Sequence, residues 1–266
     1  MPVMGKLQDQ RAIIHGGAGA IGSAIARAFV DEGARVFLTG RDRARVAARA
    51  AELGPRATAA QLDVLELPAV EAHADEVARE GGIDIVVNAI GVDHVQGVLL
   101  RELSLEDFMF PVTTYVRANF TIAKAVSRQM MAQRSGVLLT LSPPGGRIVG
   151  RGWLGSGAAF AAVEHMSRLL AAELGPSGVR VVCLCPDAIP EALAHGSHTR
   201  RVFTRVAEAM GTTAEQLLEE RARTASFTGR LPTLADVAAT ATFVASRAGG
   251  AITGTVINLT SGARPE

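Results

Sequence analysis

The chain has 266 residues, 48% of them hydrophobic, and a formal net charge of +1, which provides apolar material for a sizeable core. No basic block stands apart from the helical stretches and no apolar run is long enough to span a bilayer, so neither nucleic acid nor membrane is an expected partner. The opening MPVMGKLQDQR lacks the apolar centre of a secretory leader, and the expectation is a cytoplasmic protein acting on a small molecule.

In chain order, short apolar runs alternate with longer alanine-rich segments of helical period. The pattern predicts strands over 12–15, 35–39, 57–62, 83–88, 136–142, 179–184 and 255–259. Helices are predicted over 21–32, 43–53, 68–80, 105–134, 156–174 and 234–246. Such alternation specifies βαβ units. The fold expected is a Rossmann-type, doubly wound parallel sheet of about seven strands in a three-layer α/β/α single domain, its strands covered on both faces. Gly33 and Gly54 end helices, Pro68 suits a first turn, and GPSG at 175–178 is a firm stop. Pro111, inside the 105–134 segment, is expected to kink that helix or delay its start. Segment 187–229 breaks the alternation with one amphipathic helix near 213–223, and an insertion before the last strand reads as a lid over a ligand cleft. Cys183 and Cys185 point to one face of a strand and read as reduced core thiols.

Directly after the first strand comes HGGAGAIG (15–22), leading into a helix. Glycines there permit a tight turn and close backbone approach, so that amides at the helix N-terminus face a pyrophosphate. Gly16, Gly19, Ile21 and Gly22 are therefore candidate cofactor contacts. The second strand ends VFLTGRDR; where NAD sites commonly carry an acid, Gly40 stands and Arg41 follows. A guanidinium suits a 2′-phosphate, which favours NADP(H) over NAD(H). Arg45 and Arg49, further along, read as the solvated face of a helix.

Over nearly its whole length the chain resembles the short-chain dehydrogenase/reductase family. HGGAGAIG is similar to the family's TGxxxGxG loop, with His15 for Thr and Ala20 for the middle Gly. QLDV resembles the adenine-contacting pair, here Asp63 and Val64. VVNAIG resembles the NNAG motif, keeping Asn88 and Gly91 around Ala89. AVEHMSRLLAAELGPSGVRVV and LPTLADVAATATFVAS with ITGTVINLTSG resemble the family's sixth helix and strand and its C-terminal signature. CPDAIP (185–190) stands where the family has Pro-Gly, which implies cofactor contacts from Pro186 and Ile189. The resemblance also implies a homo-oligomer, dimer or tetramer, or a mixed assembly with an active relative.

The family's usual chemistry uses Asn, Ser, Tyr and Lys together: the tyrosine moves the proton, and the lysine ammonium lowers its pKa. Carried onto this chain, those positions are Tyr115, Pro143, Ser156 and Phe160. The only tyrosine is Tyr115 and the only lysines are Lys6 and Lys124, so no YxxxK exists. The remaining candidates are Asp187, Tyr115, His94, Ser142 and Ser156. Asp187 is either an acid/base beside the nicotinamide or a cap for the next loop; His94 is an acid/base or a plain loop histidine. Ser142 and Ser156 are hydrogen-bonding groups for a substrate oxygen or ordinary hydroxyls, and Tyr115 is a replacement acid or a space-filler. Trp153 and Phe160 make the pocket apolar. HGSH (195–198) brings two histidines without further ligands, so no metal is expected.

The functions expected are an NADP(H)-dependent oxidoreductase with a non-standard active site, acting on a small imine, activated alkene or carbonyl; a non-redox isomerase or lyase in the same cleft; or a silent subunit supporting a partner.

Overall fold

The computed structural model describes residues 5–195 and 197–264. Seven strands, β1 (Arg11–His15), β2 (Arg35–Gly40), β3 (Ala57–Gln61), β4 (Ile85–Asn88), β5 (Gly136–Leu141), β6 (Val179–Pro186) and β7 (Thr255–Leu259), form one sheet in the order β3-β2-β1-β4-β5-β6-β7. Every pairing is parallel. Successive residues of β1 serve opposite faces. Ala12 and Ile14 join the core beneath α1 (Ala20–Asp31), α2 (Arg43–Leu53) and α8 (Leu234–Ala245). Ile13 faces the core beneath α3 (Leu67–Arg79), α4 (Leu105–Gln133) and α5 (Leu154–Leu174). Period-2 alternation with both sets buried produces this Rossmann-like α/β domain, and each fully buried Ile or Phe contributes roughly 1.5–3 kcal/mol.

Chain order reverses between β1 and β4. The carboxyl ends of these two neighbours lead to helices on opposite faces, which opens a crevice there.

Several expectations are corrected. β3 is an edge strand whose Thr58, Ala59 and Gln61 are exposed, so it is not covered on both faces; short polar strands are suited to an open edge. Pro111 does not delay α4. Ser104 caps that helix seven residues before Pro111, its Oγ accepting from Asp107 N at 3.0 Å. β4 begins at Ile85 and not at 83, with the Asp84 carboxylate accepting from Arg11 N at 2.8 Å at the entry to the strand. Segment 187–229 holds two helices where one was expected: α6 (His198–Ala209) precedes α7 (Ala214–Ala225). α7 opens with a capping box between Thr213 and Gln216. α6 escaped the sequence reading although Val202, Phe203, Val206 and Ala207 recur at helical spacing; four arginines or histidines among its twelve residues make it polar on average, and Val202 and Ala207 are its buried residues. Cys183 and Cys185 are fully buried and not disulfide-bonded.

Candidate active site

A cleft of about 880 Å³ runs along the carboxyl ends of the strands, from the end of β2 to α6 and α7. Gly16 turns the chain at its floor with φ +75°, and a Cβ there would stand 2.6 Å from the Ala89 carbonyl oxygen, so the backbone passes where only glycine fits. Gly19 begins α1 without any side-chain cap, which leaves the first-turn amides pointing into the cleft. Gly16, Gly19 and Ile21 line this end. Gly22 does not; it packs behind the turn, where a Cβ would meet the Gly16 oxygen at 2.4 Å. Below the turn His15 is held by its Nδ1 to Thr39 Oγ1 (2.8 Å), and burial brings its pKa down to about 3, so it is a neutral packing group.

Arg41 and Asp63 line the outer wall with Val64. Arg45, exposed on α2 as a solvated helix face requires, also stands at the rim of the cleft; Arg49 turns away and pairs with Glu52. Asp42 caps α2 by accepting from Arg45 N at 3.1 Å, at the start of the turn that carries Arg45 beside Arg41 at the cleft rim. Ala89, Gly91, Pro186 and Ile189 line the middle. Asn88 is buried behind them, its Oδ1 accepting from Ile90 N at 3.3 Å.

The other half of the cleft is walled by Tyr115 of α4, Ser156 and Phe160 of α5, Pro143 and Trp153, and by His198 of α6. Tyr115 and Phe160 ring centroids are 5.3 Å apart. The Tyr115 hydroxyl accepts from Val92 N at 3.2 Å, and burial pushes its pKa up to about 12. His94 lies against both rings, at 6.2 and 6.0 Å between centroids. Its Nδ1 faces the Val92 carbonyl at 3.0 Å, and its Nε2 faces the Gln96 amide nitrogen at 2.9 Å. A carbonyl only accepts and an amide nitrogen only donates, so both contacts require the neutral ring protonated on Nδ1. Burial lowers the His94 pKa in agreement. Gln96 Nε2 also donates to Ser156 Oγ at 3.3 Å, which makes Gln96 the bridge between two residues that the sequence offered separately.

Ser142 is not part of this arrangement. It is fully buried, outside the cleft lining, and its hydroxyl donates to the carbonyls of Pro143 (3.2 Å) and Phe160 (3.4 Å). Asp187 lines the cleft, but its oxygens are engaged: Arg221 Nε and Nη2 donate at 2.8 and 2.9 Å, and Ala188 N donates at 2.7 Å. Asp93 is likewise held by Arg201 (2.7 Å) and Arg205. These two carboxylates tie α6 and α7 to the ends of β4 and β6. Gln96, His198 and Arg221 are the residues that sequence reasoning missed. Only His198 carried a signal, inside HGSH, where it was weighed as a metal ligand. Among the described residues no cluster suited to a metal ion occurs, and no helix is long and apolar enough to cross a membrane.

Comparison with known proteins agrees with this architecture. The family described as enoyl-(acyl carrier protein) reductase matches residues 16–264. Momilactone A synthase of Oryza sativa is 30% identical over 260 residues, covering 97% of this chain and 90% of that protein. The 3-oxoacyl-(acyl-carrier-protein) reductase FabG of Chlamydia muridarum is 28% identical over 261 residues, covering 96% and 98%. The crystal structure of gox2181 superposes with a TM-score of 0.82 at 26% identity, over 97% of each chain. The chain belongs to the short-chain dehydrogenase/reductase family.

Proposed function

We propose that this protein is an NADP(H)-dependent oxidoreductase whose active site departs from the family's Asn-Ser-Tyr-Lys arrangement, and that its substrate is a small imine, activated alkene or carbonyl compound. The observation carrying this reading is that Arg41 and Arg45 stand at the outer end of the same cleft whose floor is the Gly16 turn. A dinucleotide fits these residues: the Gly16 cradle would be filled by a Cβ, the α1 amides are uncapped, and two guanidinium groups suit a 2′-phosphate. When bound, the nicotinamide supplies or accepts the hydride.

The chain's own residues then orient and desolvate more than they protonate. Ser156 and Phe160 stand where the resemblance calls for tyrosine and lysine, and no ammonium is near. Tyr115, with its pKa raised to about 12, is a poor proton donor at neutral pH. Addition to an iminium or an activated alkene needs less acid assistance than formation of an alkoxide, which favours those substrates. We read segment 187–229 as the cover of the cleft. Exposed Phe120 and Met131 on α4 and Leu169 on α5 support a homo-oligomer built on these long helices.

The test is a calorimetric titration with NADPH and NADH side by side. Tight binding with NADPH preferred is expected. No binding of either would sink the redox reading and leave a cofactor-free isomerase or lyase, or a silent partner subunit.

A further inference from the structure

The half of the cleft between Tyr115, Phe160 and α6 has an uncommon charge pattern. Its guanidinium groups, Arg201 and Arg221, are both held by carboxylates, on Asp93 at 2.7 Å and on Asp187 at 2.8 Å; Asp93 also holds Arg205, and this outer cluster faces solvent, with the Arg201 side chain 62% exposed, whereas the Arg221–Asp187 pair is charge-balanced and largely buried. Its histidine His94 is kept neutral by the Val92 carbonyl and Gln96. The two lysines lie elsewhere in the chain, at positions 6 and 124, and neither lines the cleft. An anion settling between the aromatic rings would lose its hydration while the one guanidinium in excess, on the Asp93 cluster, stays solvated at the mouth, and a cation would find both carboxylates already paired. Either is opposed by the loss of hydration. The aromatic walls, by contrast, are ready to receive apolar surface.

One polar group is left over. His198, the first residue of α6, lines the cleft with its ring centroid 6.4 Å from that of His94. No described residue accepts from or donates to its ring, and it is not among those with a partner left unstated. Its position is fixed by steric fit: the ring rests on Gly91, where a Cβ would come within 2.0 Å of Cε1. A neutral imidazole so placed offers one N–H to whatever fills the cleft.

We propose that this half of the cleft binds an uncharged, mainly apolar molecule, and that the His198 ring N–H donates to its oxygen or nitrogen acceptor. The inference rests on reading this cleft as the reaction site, and it narrows the substrate class to neutral molecules. It excludes phosphorylated, carboxylated and iminium substrates and retains the activated alkene or carbonyl compound of the proposed function. His198 is assigned a binding role, with no proton transfer required of it.

The chain's one tryptophan, Trp153, lines the cleft, so its emission reports occupancy without turnover. The experiment is a titration of the full chain, without nucleotide, against neutral cyclic ketones and shape-matched carboxylates, such as cyclohexyl methyl ketone and cyclohexanecarboxylate. Ketones are expected to perturb the emission saturably, and carboxylates to bind at least about ten-fold more weakly. His198→Ala should weaken ketone binding about five- to ten-fold, the value of one desolvated hydrogen bond, and His198→Gln, which keeps a donor, should recover part of it. Equal or tighter carboxylate binding, ketone binding unchanged in His198→Ala, or no response to any ketone up to its solubility would each overturn the proposal. If His198→Ala lowers the melting temperature, His198→Gln against the parent decides the matter. Ketone binding alongside a failed NADPH titration would leave this inference standing and remove the redox reading alone.

Discussion

Arg221 of α7 grips Asp187 at the end of β6 through two near-parallel hydrogen bonds of 2.8 and 2.9 Å. The carboxylate side chain is 2% exposed and the guanidinium 21%, so the pair is largely removed from water. Truncating one partner strands the other. Arg221→Ala is expected to cost roughly 2–4 kcal/mol, and the double variant Asp187→Ala, Arg221→Ala to recover part of that loss. Urea unfolding of the three proteins measures both, and a double variant no more stable than Arg221→Ala would contradict the coupling.

Arg41 and Arg45 are expected to act on one cofactor and not the other. Arg41→Ala and Arg45→Ala should each weaken NADPH binding about ten-fold or more, as loss of a charge-assisted contact does, and leave NADH affinity within about two-fold. Calorimetry on the two variants reads this directly. Parallel losses for both nucleotides would remove the 2′-phosphate assignment.

Gly16→Ala combines a backbone penalty with a collision. The residue sits at φ +75°, where an L side chain costs roughly 1–2 kcal/mol, and its Cβ would press on the Ala89 carbonyl. Nucleotide binding should be lost while the amide circular dichroism spectrum is retained. A variant that binds NADPH as the parent does would show that the turn is not the pyrophosphate cradle.

Stability should fall on the acid side. Burial brings His198 from its ordinary 6.5 to about 4 and His15 to about 3. A histidine with a depressed folded-state pKa stays neutral in the fold while the unfolded chain takes up its proton. Its contribution is therefore complete above about pH 6.5 and is lost as pH falls toward 4 for His198 and toward 3 for His15. The loss is on the order of 1–3 kcal/mol for each. Melting temperatures from pH 8 to 4 should decline less steeply in His198→Gln than in the parent; identical slopes would argue against a buried neutral imidazole.

Cys183 and Cys185 should resist thiol reagents. Both are fully buried, and burial pushes each thiol pKa up to about 12, so little thiolate exists at neutral pH. Reaction with a disulfide reagent is expected to follow global unfolding and to accelerate with denaturant. Rapid modification of the native protein would show that β6 opens locally.

The sheet was legible because its strands obey one rule. Runs such as Arg11–His15 and Gly136–Leu141 are apolar on both faces, and their order follows from alternation with helices. The glycine turn was legible for the same reason, its residues being required by backbone geometry. What sequence did not disclose is where long-range partners meet. Gln96 and Ser156 are sixty positions apart, Asp93 and Arg201 one hundred and eight, and only the folded backbone brings each pair to hydrogen-bond distance. Of the two readings of Asp187, acid/base or cap for the next loop, the contact with Ala188 N agrees with the cap; the partner neither reading supplied is Arg221, thirty-four residues on, in a helix whose place against β6 no local pattern dictates. Ser142, read from its place before Pro143 as a group for a substrate oxygen or an ordinary hydroxyl, takes the second role, because the Phe160 carbonyl, eighteen residues on, receives its hydroxyl.

The chain has one tryptophan and one tyrosine, and both Trp153 and Tyr115 belong to the wall of the cleft. Its near-ultraviolet dichroism is therefore a signature of that wall, whereas amide dichroism reports sheet and helices. The two bands divide the molecule into site and scaffold without any label. On warming, decay of the first ahead of the second would reveal a cleft that melts on its own, and simultaneous decay a site as durable as the sheet beneath it.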